Sequence, residues 1–204
     1  MTDIYLVGGM GVGKDTLINE LIKHPDVNHI YMGSPLAGIP LQLSKTTLPN
    51  LLTLSREECI AEILDNQEIT IGTYPRDEFD TMGGSLMRKH GPDFPIHLYL
   101  ALRDPDKSNI YNHVVKVSNL KLLVEKHNGL ALGLYCSNET QAQRRFASKK
   151  PMNPKTFDEM LVQVRKTNDY FEEDEMLGHC DLKINTDQVR TDDPAVVQQV
   201  LQYL

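Results

Sequence analysis

Short apolar runs alternate along this chain with segments whose apolar residues recur at helical spacing. That alternation is the pattern of an α/β protein with a mainly parallel sheet. Strands are expected over Ile4 to Val7, Val27 to Met32, His113 to Val117, Leu130 to Cys136 and Asp181 to Asn185. Helices are expected from about Asp15 to Lys23, from Ser55 onward, and over Pro75 to His90 and Leu120 to His127. Three more are expected over Asn138 to Lys149, Thr156 to Phe171 and Pro194 to Leu204. Ser55 and Glu58 form a capping box ahead of Ile60, Ile63 and Leu64, Asn128-Gly129 stops a helix, and Pro194 suits a first turn. The run Ile96 to Leu102 fits either a strand ending in Arg103-Asp104 or a helix with Ile96, Tyr99 and Leu100 on one face. Helix is preferred, because it leaves the following strands properly spaced.

One junction between these elements carries chemistry. Gly8-Gly9-Met10-Gly11-Val12-Gly13-Lys14-Asp15-Thr16 follows the first strand and opens the first helix. Gly8, Gly11 and Gly13 allow positive φ and bring backbone N–H groups close to an anion. Lys14 then reaches the β- and γ-phosphates of a nucleotide, and the helix points its positive dipole end at them. The stretch matches the phosphate-binding P-loop at every position except Asp15, where Ser or Thr is expected.

Composition narrows the setting. With 204 residues, 40% hydrophobic and 24% charged, the chain reads as one domain with one sizeable core. Cys59, Cys136 and Cys180 are far apart without metal-ligand spacing, as expected of thiols in a reducing compartment. The first strand starts almost at once and no apolar run approaches membrane-spanning length, so a cytoplasmic location is expected, in a cell or a virus-infected host. The net charge of −7 argues against general nucleic-acid affinity. Arg144, Arg145, Lys149, Lys150 and Lys155 nevertheless make a local basic patch, suited to capturing one phosphorylated ligand. Glu172 to Glu175 is a run of four carboxylates. The histidines lack ligand spacing, and none is assigned to a metal.

These residues resemble the P-loop kinases of the nucleoside-monophosphate-kinase type. More narrowly, Gly13-Lys14-Asp15-Thr16 is similar to phage deoxynucleoside monophosphate kinases. The chain also resembles dephospho-coenzyme A kinases and a related archaeal kinase family: Tyr31 to Leu36 sits where such kinases leave the second strand toward the acceptor site, and Arg76 to Pro92, with Gly83, Arg88 and Gly91, resembles a helix of the archaeal enzymes. Asn138 to Arg145 resembles the entry to a lid. The resemblance implies a three-layer α/β P-loop NTPase fold in a single domain 1–204, with an acceptor-binding segment 33–93 and a helical lid near 138–156. It implies ATP as donor, Mg²⁺ as cofactor and a nucleotide acceptor, most simply a deoxynucleoside monophosphate. Such kinases end a central strand in Asp-x-Arg or Asp-Gly-x-Arg. Neither His113 to Asn119 nor Leu100 to Arg103 supplies that carboxylate.

The candidate site residues divide by role. Gly8, Gly9, Met10, Gly11, Val12, Gly13, Lys14, Asp15 and Thr16 would hold the donor, with Asp15 and Thr16 at the metal. Asp15 has two roles open to it, holding Mg²⁺ through water or taking a proton from an acceptor hydroxyl. Asp77 is a second candidate base, or a helix-start carboxylate on a solvated face. Ser34, Arg76 and Arg88 would meet the acceptor, though Arg88 equally fits a surface ion pair. Arg144 and Arg145 would neutralise the transferring phosphoryl group, one of them pointing outward. Modified DNA, through a hydroxymethylpyrimidine hydroxyl, is an alternative acceptor. A nucleotide-binding switch that transfers nothing is another alternative. Either a monomer or a homodimer is compatible with the sequence.

Overall fold

Ile4, Tyr5, Leu6 and Val7 form strand β1 (Ile4–Val7), and none of the four side chains is exposed. A strand buried on both faces belongs at the centre of a sheet covered by helices on each side. The computed structural model bears this out. It describes residues 2–31, 51–65, 85–112, 114, 116–127, 129–148, 154, 156–170 and 172–204. Two compact units result, Met1–His29 with Pro105–Leu204, and Ile30–Asp104.

The first unit carries β1, helix α1 (Lys14–Leu21) and the start of β2 (Val27–Tyr31). After Asp104 come β3 (Ser108–Asn112), α4 (Val117–His127), β4 (Leu130–Tyr135), α5 (Asn138–Ala147), α6 (Phe157–Tyr170), α7 (Glu173–Gly178), β5 (Leu182–Asn185) and α8 (Pro194–Leu201). The sheet runs β2-β3-β1-β4-β5. β1 is parallel to β3 and β4, and β4 is parallel to β5. On one face Ile4 and Leu6 pack with Leu17 and Leu21 of α1 and Val197 and Val200 of α8. On the other, Tyr5 meets Tyr111 at 5.3 Å between ring centroids, and α7 packs against β1. Each fully buried apolar side chain of this core stabilises the fold by about 2 kcal/mol.

The strand beside β1 is not His113 to Val117, as the apolar pattern indicates, but Ser108–Asn112, and Val117 already begins α4. Its Ser-Asn-Ile-Tyr-Asn composition looks like a turn. It is nevertheless fully buried, and distant side chains satisfy the polar groups of Asn109 in its middle. Asp3 Oδ1 accepts from the Asn109 backbone N–H at 3.3 Å and from Asn109 Nδ2 at 3.0 Å. Asn28 Nδ2 donates to Asn109 Oδ1 at 2.9 Å. A buried amide paired in this way is tolerated where an orphaned one is not.

Within the second unit the capping box forms as expected. The Ser55 N–H donates to Glu58 Oε2 at 2.9 Å and the Glu58 N–H to Ser55 Oγ at 3.2 Å, opening α2 (Arg56–Asp65). The Ile96 run is helical, in α3 (Phe94–Ala101). Residues 85–90 are helical too. No cysteine is in a disulfide; Cys59 is buried, and Cys136 and Cys180 are half-buried. No helix among the described residues is long and apolar enough to cross a membrane.

Candidate phosphate-binding site

The turn from β1 into α1 needs the residues it has. Gly8 sits at φ 139°, and a Cβ there would stand 2.2 Å from the Leu134 carbonyl oxygen of β4. Gly13, the N-cap of α1, sits at φ 99°, where side chains are strained. Thr191 closes over it, its Oγ1 donating to the Gly13 carbonyl at 3.0 Å. The loop is therefore fixed by β4 on one side and by the segment before α8 on the other.

Lys14 lies at the first position of α1 and is only 6% exposed. Its Nζ donates to the carbonyls of Gly8 and Gly9, the latter at 2.6 Å. Burial pulls its pKa from 10.5 to about 8, against the opposing attraction of the Asp15 and Glu173 carboxylates. A cation at a helix N-terminus, partly stripped of water, is poorly matched to its surroundings until an anion joins it.

Glu173 is the unexpected member. It is buried and its Oε1 accepts the Gly9 N–H at 2.8 Å. Burial pushes its carboxyl above the ordinary value, while the Gly9 N–H, Gln141 and Lys14 oppose that shift. A Cβ on Gly9 would sit 2.7 to 2.8 Å from Gln141 Oε1, Asn168 Oδ1 and Glu173 Oε2. Three side-chain oxygens from α5, α6 and α7 thus converge on one loop glycine.

The outer rim belongs to α5 and the loop after β5. Arg144 donates to the Gly11 carbonyl at 3.2 Å, to Thr186 Oγ1 at 3.0 Å and to the Thr186 carbonyl at 2.7 Å. The neighbouring Arg145 donates to Gln163 of α6 at 3.4 Å, and burial lowers its pKa. The two arginines therefore diverge, Arg144 reaching the loop and the β5 exit and Arg145 reaching α6. α5 and α6 pack through Ala142, Met160 and Val164. Asp15 and Thr16 are exposed on the first turn of α1. Asn112, at the end of β3, donates through Nδ2 to Asp15 Oδ1 at 3.4 Å.

No protein-family profile matches the chain, and no curated protein matches its sequence. Among solved structures, a shikimate kinase from Bacteroides thetaiotaomicron superposes with a TM-score of 0.54 at 14% identity, over 98% of this chain and 97% of that one. A shikimate kinase from Acinetobacter baumannii in complex with shikimate gives 0.48 at 18% identity, over 99% and 92%. The chain has a P-loop NTPase fold. At such identity the likeness is one of fold.

Within this fold the structure gathers most of the expected donor-side residues. Gly8 to Thr16 form the loop and helix start, and Arg144 bonds to that loop. Arg88 lies in the other unit, exposed and bonded to Ser85 Oγ at 2.9 Å. Ser34, Arg76 and Asp77 lie outside the described residues. Sequence reasoning missed Glu173, Gln141, Asn168, Thr186 and Asn112. Glu173 was hidden in a run of four carboxylates, of which it alone is buried.

Proposed function

We propose that the protein is an ATP- and Mg²⁺-dependent kinase that moves the γ-phosphate to a nucleotide, a deoxynucleoside monophosphate being the favoured acceptor. The observation that carries the reading is Lys14, buried under a positive-φ glycine loop with its pKa drawn down to about 8. Its Nζ is held by carbonyls that a triphosphate would replace as partner. The loop N–H groups and the α1 dipole complete an anion site. Arg144, anchored at Gly11 and Thr186, and Arg145 would offset charge on the transferring group. Asp15 and Thr16 would stand on the metal side, where bound Mg²⁺ neutralises the charge shared by the β- and γ-phosphates. The acceptor assignment rests on the similarity of Gly13-Lys14-Asp15-Thr16 to phage deoxynucleoside monophosphate kinases. Ser34, Arg76 and Arg88 would bind it, with Asp15 or Asp77 as base.

The test is transfer of label from γ-labelled ATP to a panel of acceptors. The panel holds deoxynucleoside monophosphates, dephospho-coenzyme A, shikimate, and DNA with and without hydroxymethylpyrimidines. Label on a deoxynucleoside monophosphate supports the proposal, and label on another acceptor alone redirects it. A second reading, a switch that binds nucleotide without transferring phosphate, is favoured by Asn112 standing where this fold keeps a carboxylate. It predicts ATP binding with no acceptor-dependent product.

A further inference from the structure

P-loop NTPases hold Mg²⁺ between a hydroxyl on the residue after the loop lysine and a carboxylate at the end of a strand. Both positions depart from that arrangement here, and they touch. The residue after Lys14 is Asp15. The strand neighbouring β1 ends in Asn112, paired in register with Leu6 just ahead of the loop. Asn112 Nδ2 donates to Asp15 Oδ1 at 3.4 Å.

We propose that the metal-side carboxylate of this site has been transferred from strand to helix, with Asp15 holding the cation and Asn112 serving as the positioning residue that aims it. This rests on the nucleotide-binding reading given above. Three observations support it. Asn112 is fully buried, and its Oδ1 has no hydrogen-bond partner among the described residues. An orphaned amide oxygen is unfavourable in a core, so packing alone does not account for Asn at this position. Next, a second carboxylate at 112 would face Asp15 at hydrogen-bond range and repel it, whereas an amide attracts it. One cause thus accounts for both departures. Finally, Asp15 is exposed at the mouth of the loop, where a hydrated cation can reach it.

The experiment is calorimetric titration of ATP into the full chain in EDTA and in saturating Mg²⁺, read as the ratio of the two dissociation constants. Asp15→Asn should lower the Mg²⁺ enhancement roughly tenfold while tightening affinity in EDTA, since a negative charge near the phosphates is gone. A misfolded loop would lose affinity in EDTA as well, so the direction separates the two causes. Asn112→Ala should lower the enhancement about threefold by releasing Asp15. The exchanged protein, Asp15→Asn with Asn112→Asp, keeps the same pair of groups in reversed places and should recover most of what Asp15→Asn lost. An Asp15→Asn protein with the wild-type ratio overturns the inference, as does an exchanged protein no better than Asp15→Asn. Wild-type protein that binds ATP equally in both buffers overturns it while leaving nucleotide binding intact. Absence of ATP binding in either buffer removes the nucleotide reading and the inference together.

Discussion

Burial holds the Lys14 ammonium at a pKa of about 8, so a measurable fraction of the free protein lacks that proton above neutrality. The deprotonated fraction is about 0.1 at pH 7, about 0.5 at pH 8 and about 0.9 at pH 9. A triphosphate against Nζ favours the charged form, so ATP binding restores the missing proton. The expected uptake is about half a proton at pH 8 and close to none at pH 6. Calorimetry at each pH in buffers of different ionisation enthalpy reads this number as the slope of observed against buffer enthalpy. Glu173 supplies an internal control, being one of the two carboxylates that hold the Lys14 pKa up. If Glu173→Gln removes about 1 kcal/mol of attraction, the pKa falls by about 0.7 and the uptake at pH 7 rises to about 0.3. The same shift has a stability sign. The folded pKa lies below the unfolded value of 10.5, so holding Lys14 charged opposes folding by about 3 kcal/mol below pH 8. That cost fades as pH rises from about 8 to 10.5, and this group's contribution to stability increases across that window. A flat enthalpy across buffers at pH 8, or a Glu173→Gln protein with the wild-type profile, would show that Lys14 keeps its proton in the free protein.

Two further outcomes follow from the loop's supports. Gly8→Ala drives a Cβ toward the Leu134 carbonyl from a φ of 139° and should cost about 3 kcal/mol, seen as a lowered thermal midpoint. Arg144→Ala removes the ties to Gly11 and Thr186 from an exposed side chain. It should change stability by under about 1 kcal/mol but weaken ATP binding about tenfold in a direct titration; unchanged affinity would detach Arg144 from the site.

The parts of this architecture that were legible in the sequence are those whose signals are local. β1, the glycine loop and α1 follow one another, and each restricts the next through apolar runs, positive φ and a helix start. The Ser55 box and the first turn at Pro194 are equally local, and both formed. β3 was not legible, because a strand of Ser and Asn is buried only when Asp3 and Asn28 are there to pair with it. Those partners lie on the far side of the chain. Glu173 was hidden for a related reason. Its neighbours are carboxylates too, and only the short helix α7, entered through Glu172 at φ 54°, selects which one turns toward Gly9. Asn112 became interpretable once β3 had moved the strand end five residues toward the N-terminus of the expected one. The acceptor side lies largely outside the described residues, and its assignment stays with the sequence.

The most direct measurement is ATP titrated into wild-type protein and Lys14→Met in EDTA, where metal contributes nothing and the loop and lysine act alone. Wild-type protein should bind in the micromolar range and Lys14→Met should lose roughly a hundredfold, with the thermal midpoint maintained or raised because a buried charge has gone. Equal affinity in the two proteins would contradict the claim that Lys14 and the Gly8 to Thr16 loop form the phosphate site.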